Sequence, residues 1–323
     1  MLRFLFGFKW QKSQAHLLLL SKFLRPHTIE DYENLSVMPW KKVLGETPSK
    51  AINRFLREGM LKHTDTARSL EWKYKVPDLK KMLKEHNLPV SGKKVDLILR
   101  LIETDPNGMK AYVSGLKVLI CSEQGHQIAN DYLTIEKEKR LNVEQQVLYA
   151  LQKLKFKEAS LSCSSFEAEQ VFPRGINIDW RNPDTTRNIA VLKIIFDSNP
   201  KILKNLNNEW LEHLRLAAGM MYLWGTRMAK GWLPPNLETG LVMDGDTASR
   251  MIIFHARNQV NLAQYREWGA ESVEISTVND GATCEACKKI AGKKFKIDEV
   301  IELPYERCTC EIGCRCMLQV FDS

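Results

Sequence analysis

The chain lacks any apolar run approaching the ~20 residues a membrane-spanning helix needs, so no membrane anchor is expected. The apolar opening MLRFLFGFKW is interrupted by Lys9 and followed closely by Lys12, and no small-residue cleavage site follows. No secretory signal is read there, and the expected location is cytoplasmic. Histidine is scarce, with 7 residues in 323 and none after His255. Everything downstream of that position is without an imidazole to act as base or metal ligand. The G-x-x-x-x-G-K-[ST], G-x-G-x-x-G, H-E-x-x-H and G-x-S-x-G patterns are all missing. That removes the sequence markers of P-loop, dinucleotide-binding, zincin and α/β-hydrolase chemistry. No activity is therefore expected from a known motif. Internal repeats and low-complexity tracts are absent too.

What is present is an ordinary globular composition, 44% hydrophobic and 27% charged, in a chain too long for one small core. The net charge of +8 is concentrated at one end. Residues 1–75 carry 14 Lys and Arg against 7 Asp and Glu, and residues 76–104 carry 6 against 4. The remainder is close to neutral. A basic end of this kind suits a polyanionic partner.

The patterning is mostly helical. Residues 14–25 read as a helix ending at Pro26. Thr47 and Pro48 form a cap and first position for a helix with Ile52, Phe55 and Leu56 on one face, closed near Gly59. Residues 109–170 read as mainly helix, with Val143, Val147, Leu148, Leu151 and Leu154 in one stripe. Residues 172–186 read as a polar loop, whose Asp179 and Asp184 are better explained as loop residues than as cation ligands. Residues 200–232 read as helical. A long helix is expected from Asp246 or Thr247 to Trp268, ended by Gly269, with His255 and Arg257 as surface or packing residues. SVEIST (272–277) reads as a strand, and NDG (279–281) as a turn.

Residues 76–104, VPDLKKMLKEHNLPVSGKKVDLILRLIET, form a distinct unit. Leu79, Met82 and Leu83 give the first helix an apolar face; Val95, Ile98, Leu101 and Ile102 give the second one. The unit resembles the SAP domain, a small helix–extended loop–helix module that binds DNA. The resemblance implies that Ser91, Gly92, Lys93 and Lys94, with Arg100 further along, face DNA phosphates. Elementary physics points the same way, because a helix start carries partial positive charge and favours phosphate. None of these groups is suited to reading base edges, so backbone-led binding of double-stranded DNA is expected.

The last segment concentrates six of the eight cysteines in the pattern C-x2-C-x20-C-x-C-x3-C-x-C, from Cys284 to Cys316. Cys121 and Cys163 stand apart and read as small buried residues. In a reducing compartment such clustering points to metal rather than disulfides. A C-x2-C turn can place two sulfurs in one zinc coordination sphere. One zinc on four thiols, a six-cysteine two-zinc cluster, and a redox C-x-x-C pair are the arrangements open to the pattern. The redox pair lacks a surrounding βαβ pattern. The first is adopted as the expectation, with Cys284, Cys287, Cys308 and Cys314 as ligands, because the two residues of an extended C-x-C point to opposite sides. Residues 271–323 carry 7 Lys and Arg against 10 Asp and Glu, so this lobe is not expected to be the main DNA grip.

Residues 248–322 are similar to the C-terminal part of Mu-type phage head morphogenesis (minor head) proteins. The shared features run in order: a long helix, a glycine-containing turn, a short strand, an Asp–Gly turn, a C-x2-C knuckle, an Ala–Gly–Lys turn and a terminal C-R-C. That family has His–Pro ahead of its C-R-C, where this chain reads YERCTCEIG; Cys308 or Cys310 can take the missing ligand's place. The resemblance implies phage-type structural subunits as partners.

The expected protein is thus mainly α and multidomain. It has a basic helical region (1–70), a SAP-like unit (71–105), a helical region (106–245), and a long helix with a small zinc-stabilised lobe of short strands (246–323). It is expected to be a non-enzymatic DNA-binding protein of phage or prophage head-morphogenesis type. The alternative is a host or mobile-element DNA-processing or defence factor with an unrecognised catalytic site in 106–245.

Overall fold

In the computed structural model, residues 9–33, 39–175, 178–229, 231–235 and 243–321 are described. The chain divides into two units, residues 1–139 and 140–323.

The first unit opens with short helices α1 (Gln14–Lys22), α2 (Glu30–Glu33), α3 (Trp40–Leu44) and α4 (Pro48–Arg57). They bury Trp10, Leu19, Leu20, Phe23, Trp40, Ile52 and Phe55. Trp10 meets Phe55 edge-on with ring centroids 4.8 Å apart. Thr47 caps α4 by accepting the Lys50 N–H, Pro48 takes the first turn, and Gly59 (φ +73°) ends the segment, as the sequence suggests. Strand β1 (Leu61–His63) pairs antiparallel with β2 (Leu119–Cys121), with Leu61 opposite Cys121. This ladder closes off the intervening segment, which holds α5 (Thr66–Lys73), α6 (Val76–Glu85), α7 (Lys94–Thr104) and α8 (Pro106–Tyr112). Helix α9 (Glu123–Gln152) follows, and the division between the units falls inside it.

The second unit is built on α10 (Phe156–Ala168), α11 (Thr185–Asp197), α12 (Asn208–Trp224) and α13 (Gly245–Glu267). Val147, Leu151, Leu192, Ile195, Leu214, Met221, Ile252 and Ala256 are among its buried core. Asn207 caps α12 by accepting the Trp210 N–H at 2.8 Å, and Asp244 caps α13 by accepting the Thr247 N–H at 2.7 Å. Helix α13 ends before Gly269 (φ +76°), where the sequence places the end of the long helix. Strand β3 (Ser272–Ser276) is the centre of an antiparallel sheet of order β4–β3–β5, with β4 at Lys294–Lys296 and β5 at Met317–Val320. Its period-two alternation turns Val273 and Ile275 into the core, and Ile275 pairs with Leu318. The short helix α14 (Glu285–Ile290) lies between β3 and β4.

The protein is mainly helical, with small antiparallel sheets. Three details depart from the pattern read off the sequence. Val95, read as part of the inward face of α7, is exposed, because that helix turns Leu97, Ile98 and Leu101 into the core instead. The apolar stripe of α9 ends at Leu151; Leu154 takes φ +54° in the turn that follows and is exposed. Residues 200–207 form a 3-10 turn and a bend before α12 starts. The C-terminal lobe also has apolar support. Val273, Ile275, Ile290, Ile297, Leu303 and Leu318 join the same core as α13.

Candidate nucleic-acid interface and metal centre

Helices α6 and α7 form a hairpin whose Leu79, Met82, Leu83, Leu97, Ile98 and Leu101 are buried together. The core does not stop at the hairpin. Leu70 of α5 and Met109 of α8, with Val113 just beyond α8, complete it. Each hairpin helix starts on a carboxylate: Asp78 accepts the Lys75 N–H, and Asp96 accepts the Lys93 N–H, both at 2.9 Å. Helix α7 begins at Lys94 with Lys93 as its N-cap residue, so Ser91 and Gly92 lie just ahead of it. Gly92 has φ +120°, and a Cβ there would sit 3.1 Å from Asp96 Oδ2. The glycine is required by this turn, whatever approaches it from outside.

The five residues expected at DNA fall into two groups. Ser91, Gly92 and Lys93 are exposed. Lys94 is half-buried, and its Nζ donates to the Glu71 carbonyl at 2.6 Å, tying α7 to α5. Arg100 donates from Nη1 to the carbonyls of Pro89 and, at 3.2 Å, Ser91. It therefore braces the loop that carries Ser91 and Gly92. Sequence reasoning missed Asp96, although its place three residues after Lys93 is the spacing of a reciprocal cap. The hydrogen bonds of Lys94 and Arg100 to main-chain carbonyls carry no periodic signal.

In the lobe, Cys284 is the N-cap residue of α14 and Cys287 lies in its first turn. Four thiols, of Cys284, Cys287, Cys308 and Cys310, lie within 4.8 Å of one another, and all but Cys284 belong to buried residues. A second group, Cys287, Cys314 and Cys316, meets the same limit and is wholly buried. Of the expected ligands, Cys284, Cys287 and Cys308 come together in the first group; Cys314 meets Cys287 in the second. Cys308 and Cys310 share one group because the chain from 306 to 312 turns rather than running as a strand.

Main-chain N–H groups surround these sulfurs. Cys284 donates to Cys310 Sγ at 3.2 Å, Thr309 to Cys284 Sγ at 3.4 Å, Cys310 to Cys308 Sγ at 3.4 Å, and Tyr305 to Cys314 Sγ at 3.4 Å. Such donors favour thiolate and orient it. Burial raises the Cys284 thiol, but N–H donation from Thr309 and Cys287 outweighs it and brings the group down to about 6. Arg315 donates to Asp280 Oδ2 at 2.8 Å and so ties the 314–316 segment to the turn before the knuckle. The cluster can hold a metal ion.

The other cysteines are unlike these. Cys121 donates to the Leu20 carbonyl and Cys163 to the Leu223 carbonyl, and burial pushes both thiols up to about 12. His255 is buried on α13 with Nδ1 3.7 Å from Glu302; it belongs to neither thiol group. Arg257 lies over the Tyr222 ring. Asp179 accepts from Arg181 N and Asn182 Nδ2 within its own turn. Asp184 caps α11. Among the described residues, 106–245 supplies no member of a metal-ligating group. Nor, among the described residues, is any helix long and apolar enough to cross a membrane.

Comparison with known proteins finds a family match over one short part of the chain. The model of the SAP domain matches residues 73–106, the hairpin with its flanking turns. No curated protein and no solved structure matches the chain.

Proposed function

We propose that this protein binds double-stranded DNA through its SAP unit and carries a zinc-held C-terminal lobe that is structural rather than catalytic. The observation that carries the reading is the SAP match over residues 73–106, with Ser91, Gly92 and Lys93 exposed at the start of α7. Phosphates bind there through the ammonium of Lys93 and the positive end of α7, so base sequence matters little. Lys94 and Arg100 hold this surface in shape and add positive charge. The test is duplex binding across a salt series for the full chain and for Lys93→Glu with Lys94→Glu. Weaker binding is expected, with a salt slope shallower by about 0.9 for each phosphate no longer neutralised. Unchanged affinity and slope would exclude the SAP surface as the DNA site.

Zinc is the metal proposed because an all-thiol set with main-chain N–H donors suits it, and the cytoplasm is the compartment in which such thiols stay reduced. Absence of DNA cleavage by the full chain with Mg²⁺ or Mn²⁺ is expected; cleavage would favour the DNA-processing alternative. A head-morphogenesis role rests on the sequence resemblance of residues 248–322 to minor head proteins alone. Association with portal or capsid subunits encoded beside this chain tests it, and failure to associate removes that role without touching DNA binding.

A further inference from the structure

The lobe has more buried thiols than one ion can use. A tetrahedral zinc with bonds of about 2.3 Å sets its sulfurs about 3.8 Å apart. Two sulfur pairs stand near that spacing: Cys284 and Cys308 at 4.0 Å, and Cys287 and Cys314 at 3.9 Å. These pairs do not fall in one quartet. The first belongs to the group Cys284, Cys287, Cys308 and Cys310; the second belongs to the group Cys287, Cys314 and Cys316. One ion in the first group would leave Cys314 and Cys316, 1% and 4% exposed, as unused thiols against a coordinated sulfur.

Two tetrahedral ions need eight ligand positions, and six thiolates fill them when two are shared. Cys287 is common to both groups. Eight positions are filled only if a second thiolate of the first group is shared too, and Cys308, buried and 4.0 Å from Cys284, is assigned that place. The N–H donors are spread to match, reaching Cys284, Cys308 and Cys310 on one side and Cys314 on the other. Each half is also anchored to a different element. Cys284 and Cys287 sit on α14, whereas the Cys314 N–H points at Met251 Sδ of α13, 3.1 Å away.

Resting on the reading of this cluster as a zinc site, we infer that the lobe binds two zinc ions in one six-thiolate cluster. Cys284 and Cys310 are terminal on the first ion, Cys314 and Cys316 are terminal on the second, and Cys287 and Cys308 bridge the two. Every cysteine of the C-terminal segment then has a ligand role, and none is a spare.

The experiment is elemental analysis of the full chain purified under reducing conditions, paired with ¹¹³Cd NMR of the cadmium-exchanged protein. Two zinc ions per chain and two thiolate-type cadmium resonances coupled through shared sulfur are expected. One zinc per chain, or one cadmium resonance, overturns the shared cluster and leaves a mononuclear site standing. No zinc at all overturns the metal reading itself. Variants sharpen the assignment. Cys316→Ser should lower zinc content to about one ion per chain, and Cys287→Ser should lose both. Full zinc retention in Cys316→Ser overturns the cluster. The wild-type stoichiometry and spectrum decide the matter even if a variant does not fold.

Discussion

Between Leu70 and Val113, side chains from four helices close an apolar core of their own. Between Ser272 and Val320 the elements are strands of three to five residues, one short helix and turns. There the buried apolar groups are shared with α13, and buried sulfur fills the rest. The first region can be built from a repeating pattern because each helix presents one face every 3.6 residues. The second cannot, since turns present no periodic face, and a bound metal would supply the cross-links that periodicity does not. The difference predicts how each region fails.

Removing metal should have the largest effect. Structural zinc in small sites contributes about 10–16 kcal/mol at neutral pH, comparable with the whole stability of a domain. A strong chelator added to the full chain should abolish amide-exchange protection in β3 and β5 and weaken it in α13, whose core the lobe shares. Protection at residues 79–83 and 97–101 should persist. Retained protection in β3 and β5 after metal is stripped would show that the lobe, like the helical region, stands on its apolar core.

The converse perturbation is next in size. Leu97 is fully buried, and Leu97→Ala removes its methyl groups from a core with little to collapse into the gap. A destabilisation of about 2–5 kcal/mol is expected. Exchange protection in α6 and α7 should fall while zinc content stays constant. Loss of zinc in this variant would mean that the two regions are not independently held.

How far each region can be read in advance follows from the same contrast. Leu79, Met82 and Leu83, and Ile98 with Leu101, are legible as faces because the helical period places them. Val273 and Ile275 are legible from strand alternation, and Thr47 and Gly59 from their capping chemistry. The β1–β2 ladder is not, because three-residue strands far apart in the chain leave no local pattern. Leu154 fits the helical period but falls in a turn with positive φ, where the period no longer applies. The number and kind of thiols are plain, whereas their division into two groups depends on turns at 306–312 that spacing alone does not determine. The ties made by Lys94 and Arg100 are invisible for a related reason: a side chain reaching a main-chain carbonyl has no complementary residue to be recognised.

Those ties separate two neighbouring lysines that look alike in sequence. Lys93 is exposed, while Lys94 is half-buried against the Glu71 carbonyl. Lys93→Glu should weaken duplex binding by about tenfold at moderate salt with little change in stability. Lys94→Glu should also lower the stability of the SAP unit, because it leaves that carbonyl without its donor. Thermal unfolding and salt-dependent binding, measured on both variants, check the split. Equal stability in the two would assign Lys94 to DNA alone.

The smallest effect concerns protons, which can weaken a thiolate lobe through its ligands but must act on a helical region through its own titratable groups. In the cluster of α1 and α4, Glu46 accepts from His16 Nε2 at 2.9 Å and Arg54 Nη2 at 2.8 Å. Burial raises the Glu46 carboxyl, but these hydrogen bonds and the charges of Arg54 and His16 outweigh it, and the net shift is downward. A carboxylate lowered in the folded state contributes stability above its unfolded value of about 4.3, and that contribution is lost as pH falls through the folded value. Glu46→Gln should therefore reduce exchange protection of α1 and α4 at pH 7 by about 1 kcal/mol. The difference from wild type should shrink below about pH 4. A difference that stays constant into acid would show that Glu46 acts there by shape rather than by charge.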